Sequence, residues 1–328
     1  MRIVAITRVL DEADIIEAFI RHAAAFVDHH IVMDNGSKDG TLEILKSLSS
    51  EGISLTIYQT PAITFREDDQ LTNLVRSAVR DHKADWVACL DADEFYDDSQ
   101  TPSGLRDKLA EIECRHPNIC SVRMNWFHYC YTRSDDQSEN VVPLRVNQML
   151  PEPNDYKIIV CKRLVELNGG VHHGSHGAKI PADSDGVEIL DDTLRVCHYG
   201  ERSPAQFVSK VVRGWTKVLT SGPTVVERGH AGHYRGPFEI FRDRPQDLMR
   251  NDWFLHRKNE HPNLVMSPMP YRGGPLRYTP QNDPEMQAVR ALFGHLSDVC
   301  TRYGELIEAV PEARAYSEKI DTTVTRIS

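Results

Sequence analysis

The chain has no Cys-x-x-Cys pair, no His-Glu-x-x-His helix, no internal repeat and no low-complexity tract. It also has no stretch approaching the roughly 20 apolar residues of a membrane span. Its seven cysteines are an odd number in apolar surroundings, such as Cys89 after Val87-Ala and Cys197 after Val196. That argues against a disulfide framework or a zinc site and for reduced core residues of a cytoplasmic protein. Positive charge is outnumbered: 38 Lys plus Arg against 48 Asp plus Glu leave −10, which argues against a duplex-binding protein dominated by phosphate contacts but allows a local basic pocket for a diphosphate. The start, Met1 to Ile6, is too short in apolar length and too soon charged for a signal peptide, and it reads as a first strand.

What is present is an ordinary soluble composition, 40% hydrophobic, on 328 residues, enough for one large domain with an appendage. The first hundred residues alternate short apolar runs with helical patterns, as parallel βαβ units do. Strands are predicted at 3–6, 30–33, 54–58 and 86–90. Helices are predicted at 14–25, where Ile15, Ile16, Phe19 and Ile20 share a side, and at 41–48, 71–82 and 102–115. A β-rich middle follows, with strands at 119–127 and 157–162 and a polar loop at 134–143. Helices at 204–220 and 284–310 flank an irregular stretch rich in Pro, Gly, Arg and His.

Two strand ends carry acid. Trp86 to Leu90 is an apolar run that stops at Asp91, Asp93 and Glu94. Like charges this dense need a cation, and alternate carboxylates past a strand end can converge on one hard divalent ion that bridges to nucleotide phosphates. The second junction is Asp34, followed by Asn-Gly-Ser-Lys-Asp-Gly40. A carboxylate there can accept from a nucleobase imide, and it can equally cap the helix that follows. Open α/β sheets bind ligands at the carboxyl ends of their strands, where both junctions lie.

Val32 to Thr41 resembles the second-strand motif of family 2 glycosyltransferases, and Leu90 to Phe95 resembles their Asp-X-Asp motif. The Glu-Phe ending is similar to a family 2-like and family 92-like branch. Lys157 to Lys162 and Val196 to Ser203, followed by Phe207 and Lys210, resemble that branch too, so the likeness covers roughly residues 1 to 215. The resemblance implies an α/β fold of GT-A type: a Rossmann-like, mostly parallel sheet flanked by helices, with a helical C-terminal extension. It divides the chain into a nucleotide-sugar half (1–115), an acceptor half (116–220) and the extension (221–328). Asp34 would contact the base, and Asp91 the ribose and ion. Asp93 would ligate the ion, Thr7 and Arg8 at the end of strand one would flank the nucleotide, and Arg76 would reach the diphosphate. His198 would be the third protein ligand of Mn2+ or Mg2+, beside Asp91 and Asp93.

His172, His173 and His176 lie in a glycine-rich loop that would close over the donor. Arg202, Lys210 and Arg213 on the 204–220 segment or just before it either add charge near the phosphates or form a solvated face. The expected reaction transfers a sugar from a nucleotide donor, UDP-sugar by the family's habit, to a carbohydrate or glycoconjugate acceptor, with inversion. Inversion needs a general base, for which Asp155, Glu166 and His173 are the candidates. The expected setting is polysaccharide or glycoconjugate synthesis, cytoplasmic or peripheral to the membrane. A phosphotransferase with Asp91 as nucleophile, as in haloacid dehalogenase-like phosphatases, is the first alternative; Phe95 stands where those carry Thr or Val, and Asp34 goes unexplained. A nucleotidyltransferase would carry a glycine-rich basic loop where Arg8 to Glu12 stands. A non-catalytic nucleotide-sugar-binding protein also stays open.

Overall fold

The computed structural model describes residues 1–60, 67–132, 134–229, 231–244, 263–279 and 284–321. Much of the irregular stretch expected before residue 284, namely 245–262 and 280–283, lies outside the described residues.

One sheet of eight strands is drawn from residues 3–198: β1 (Ile3–Val9), β2 (His29–Asp34), β3 (Leu55–Gln59), β4 (Trp86–Cys89), β5 (Glu94–Asp97), β6 (Ile119–His128), β8 (Asp155–Cys161) and β11 (Val187–His198). Short pairs complete the strands: β7 (Gln148–Met149) with β12 (Val265–Met266), and β9 (Gly170–Val171) with β10 (Ala178–Lys179). The sheet order is β3-β2-β1-β4-β8-β6-β11-β5. β1 to β4 run parallel, as does β6 with β11, while β8 and β5 run antiparallel to their neighbours.

Period-two alternation puts both faces of this sheet in the core. Ile3 and Ala5 of β1 pack on one side with Phe19, Leu45 and Leu109; Val4 and Ile6 pack on the other with Leu74, Val75 and Leu164. The first face is covered by α1 (Ile16–Ala23), α2 (Thr41–Ser50) and α4 (Leu105–Arg115), and the second by α3 (Glu67–Arg80) and α6 (Lys162–Glu166). One turn of helix, α5 (Val142–Arg145), begins inside the expected 134–143 loop.

α7 (Pro204–Thr220) starts as its sequence prescribes, with the Ser203 hydroxyl accepting from the Gln206 N–H and Pro204 in the first turn. It buries Phe207, Val211, Trp215 and Val218. The helical C-terminal region continues with α8 (Pro223–Glu227), α9 (Arg235–Asp243), α10 (Pro284–Ala309), which packs on α7, and α11 (Pro311–Asp321). Among the described residues no helix is long and apolar enough to cross a membrane. The architecture is the mixed, largely parallel sheet flanked by helices that the sequence predicts. Five of the cysteines are buried and two, Cys114 and Cys300, are exposed; all are free thiols.

Candidate metal and nucleotide site

The acid cluster is assembled by strands far apart in sequence. β4 is buried throughout, and its chain turns through Asp91-Ala-Asp93 into β5 at the opposite end of the sheet order. β5 pairs antiparallel with the end of β11 and sets Glu94 opposite His198; β6, parallel to β11, sets His128 opposite the same histidine. Ligand atoms of Asp93, Glu94 and His198 all lie within 4.8 Å of one another. Two carboxylate oxygens and an imidazole nitrogen suit Mn2+ or Mg2+. Of the expected ligands Asp93 and His198 lie in this group together with Glu94, while Asp91, 41% exposed, lies 2.7 Å from Lys157.

Cations supply the neutralisation. The Lys157 ammonium, 2% exposed, lies 2.7 Å from Asp91 Oδ2 and 3.1 Å from Glu94 Oε2, and donates to the Gly174 carbonyl at 2.6 Å. Glu94 also accepts from Trp126 Nε1 (2.8 Å) and from the Asp91 N–H (2.9 Å). Burial pushes its carboxyl up to about 8 against the pull of Lys157, and the Asp91 and Asp93 charges push the same way. On Asp93, Oδ2 faces Lys210 Nζ at 2.5 Å, His198 Nε2 at 3.4 Å and Arg202 Nη1 at 3.7 Å. Despite burial, these charges, Lys210 foremost, hold the Asp93 carboxyl well below the usual range.

The reading of Arg202, Lys210 and Arg213 as a solvated face is corrected: carboxylates lie beneath all three. Arg202 is fully buried on Asp14, Glu12 and the Tyr199 carbonyl, and Arg213 is buried on Asp11 and the Leu10 carbonyl. Glu12 was not foreseen as part of the site. Burial, partly offset by Arg202 and Lys210, raises its carboxyl to about 7.

The His198 ring stacks on Trp126, centroids 4.2 Å apart, and its Nδ1 is 3.2 Å from that of His128. Gly200 makes this ring position available, because a Cβ there would overlap the imidazole. The expected histidine loop is tied to the cluster through Lys157 and Gly174. Gly174 has φ 67°, and a Cβ on it would collide with the His176 ring. His173 opens this turn, and His176 Nδ1 lies 2.8 Å from the Tyr156 carbonyl and 3.3 Å from Asp155.

At the other acid-bearing strand end, Asp34 is fully buried and accepts from the Ser37 N–H (3.1 Å) and Gln59 Nε2 (3.0 Å), so it braces the turn that starts α2. Beside it, the Asn35 side-chain oxygen, with its amide set to satisfy its neighbours, accepts from Lys217 Nζ (2.7 Å) and Arg8 Nη2 (3.2 Å). Burial, with Arg8 and Arg213 nearby, pushes the Lys217 ammonium down to about 7. Thr7 departs from its expected place at a strand end. β1 continues to Val9, and the Thr7 hydroxyl, fully buried, is 2.8 Å from His30 Nε2. Arg76 lies partly buried on α3, the helix that packs against the His173–Ser175 turn.

Of the three base candidates, Asp155 and His173 belong to this end of the sheet. Glu166 does not: β8 runs antiparallel to β4 with Cys161 opposite Trp86, so the exposed Glu166, past Cys161, lies at the far end of β4 from Asp91. Sequence reasoning did not assign Lys157, Trp126, His128, Asn35 or Lys217 to the site. Lys157 had a signal, because it occupies the same alternation phase as the buried Ile159 and Cys161.

Residues 5–115, the part of the chain that carries Asp34 and Asp91 to Glu94, match the family described as Glycosyl transferase family 2. No curated protein matches the chain. Among solved structures, it is similar to the mannosyltransferase PcManGT of Pyrobaculum calidifontis in complex with GDP-Man and Mn2+, at 14% identity and TM-score 0.38, covering 91% of this chain and 87% of that one. S. aureus TarS 1-349 has 14% identity and TM-score 0.39 over 96% and 87%. Glucosyl-3-phosphoglycerate synthase of Mycobacterium tuberculosis, solved with Mn2+, UDP and phosphoglyceric acid, has 17% identity and TM-score 0.35 over 61% and 71%. Likenesses this distant carry no argument about substrate.

Proposed function

We propose that the protein is a metal-dependent glycosyltransferase, of a branch similar to family 92-like enzymes, that moves a sugar from a nucleotide-sugar donor to an acceptor hydroxyl with inversion. The observation that carries this reading is the convergence of Asp93, Glu94 and His198 within 4.8 Å, with both carboxylates just past β4 in the stretch that matches Glycosyl transferase family 2 and the histidine at the end of β11. In this reading residues 1–115 form the donor half, 116–220 the acceptor half and 221–328 an extension.

Asp93, Glu94 and His198 would hold Mn2+ or Mg2+, with Asp91 beside them toward the ribose. The ion, when bound, supplies positive charge to the nucleoside diphosphate as it leaves. The remaining work belongs to the chain. Asp34 and the Asn35, Arg8 and Lys217 group orient the nucleotide, with Arg76 bordering it. Trp126 and Gly200 fix the His198 ring. Asp155 is our choice of general base, ahead of His173, because it is an open carboxylate two residues before Lys157 on the same strand. A UDP-sugar donor and a carbohydrate or glycoconjugate acceptor are the assigned partners, met in the cytoplasm or at a membrane surface.

The test is thermal stabilisation by UDP, GDP, CDP and dTDP, each with and without Mn2+. A shift for one nucleotide that requires the metal and disappears in Asp93→Ala supports the site and names the base. No shift for any of them, on folded protein, overturns the reading. Asp155→Asn should retain that shift and lose turnover.

A further inference from the structure

Asp93 Oδ2 is crowded by Lys210, Arg202 and the His198 imidazole, and they are not equivalent. Arg202 is fully buried, with its guanidinium held by Asp14, Glu12 and the Tyr199 carbonyl. His198 is fixed between Trp126 and His128. Lys210, with 22% of its side chain exposed, is the most open of the three and reaches Asp93 at 2.5 Å from the second turn of α7. Its stem is flexible, and an ammonium is a compact charge that can re-aim its donors. A divalent ion on Asp93 and an ammonium on the same oxygen would repel strongly in a buried site. One of the two has to leave, and Lys210 is the group able to do so.

From these contacts, and resting on the function proposed above, we infer that Lys210 is an exchangeable counter-ion: it occupies Asp93 in the metal-free protein and moves to the donor diphosphate when the ion takes its place. α7 is built for such a transfer. Lys210, Arg213 and Lys217 recur at i, i+3 and i+7, so one helix face carries a row of basic side chains from Asp93, past Asp11, to Asn35 beside Asp34. A released Lys210 therefore stays in a basic row that leads toward Asp34 and Asn35, the residues proposed to orient the nucleotide. The exchange also removes the penalty of leaving Asp93 buried and unpaired before the ion arrives. Ion and nucleotide binding become coupled through one side chain.

The inference makes Lys210→Gln act with opposite signs on two ligands. Without nucleotide, Mn2+ affinity measured by calorimetry should rise, by roughly tenfold, because the competitor is gone. At saturating Mn2+, UDP affinity should fall by a similar factor, about tenfold. Lys210→Arg should restore weak metal binding. A merely structural lysine would weaken both ligands or neither, and either pattern, in a protein whose wild type binds both, overturns the inference while leaving the proposed function standing. Failure of wild type to bind Mn2+ and any nucleotide overturns the proposed function and this inference together. Should Lys210→Gln not fold, a crystal structure of wild type with Mn2+ and UDP decides: Lys210 Nζ on a phosphate oxygen supports the exchange, and Lys210 still on Asp93 beside the ion refutes it.

Discussion

Replacing Lys157 with Met keeps most of its stem packing and removes the charge that three groups share. The cost can be worked from those contacts. The Gly174 carbonyl loses a charged donor at 2.6 Å, worth about 1.5–3 kcal/mol. Asp91 loses a partner at 2.7 Å, but with 41% of its side chain exposed it is rehydrated, and that loss is at most about 1 kcal/mol. Glu94, 2% exposed, behaves differently. Its carboxyl is pushed up to about 8 even with Lys157 present, so near neutral pH it is largely protonated in both proteins and adds little to the difference.

Above that value the two proteins diverge. The folded variant holds the Glu94 proton to still higher pH, whereas the unfolded chain lost it near the ordinary carboxylate value. The folded state thus binds more protons, and the variant keeps losing about 1.4 kcal/mol per pH unit after wild type has stopped. Urea denaturation of both proteins should give a difference of about 2–4 kcal/mol near pH 6.5, widening by about 1–1.5 kcal/mol near pH 9. A difference below about 1 kcal/mol, or one that does not widen with pH, would refute the account of Lys157 as the internal cation of this cluster.

Arg202→Met should cost about 3–5 kcal/mol in the same assay, since Asp14, Glu12 and the buried Asp93 all lose their shared guanidinium; a cost under about 1 kcal/mol would mean water reaches that cluster. His22 accepts the Arg272 N–H at Nδ1 and faces the Tyr96 carbonyl at Nε2, and burial holds its pKa down to about 4. Wild type therefore loses the contribution of neutral His22 as pH falls through 6.5 toward 4, so the cost of His22→Asn should shrink by roughly 2 kcal/mol between about pH 7.5 and pH 5. An unchanged cost would contradict a neutral buried imidazole. Gly200→Ala should push the His198 ring off Trp126 and weaken Mn2+ binding by about tenfold or more with the thermal midpoint little changed; unaltered Mn2+ titration would remove His198 from the ligand set.

The sequence alone determined those features that are local in the chain. β1 to β4 announce themselves as short apolar runs between helical patterns, and α7 spans the residues that its Ser203 cap, Pro204 and apolar spacing mark out. The two strand ends bearing Asp34 and Asp91 to Glu94 were visible because a buried strand that stops at carboxylates is a break in hydrophobicity. The tertiary structure alone decided which side chains meet. Glu94 faces His198 because β5 leaves β4 and pairs at the far edge of the sheet with a strand a hundred residues on. Thr7 went into the core because β1 runs on to Val9, and Glu166 went to the wrong end because β8 runs antiparallel to β4. The lysines show the reason most plainly. Nothing in the local pattern around Lys157 or Lys210 names a partner. Strand register and helix packing place each ammonium against a carboxylate, and a buried charge must be met by whatever the fold sets within about 4 Å of it.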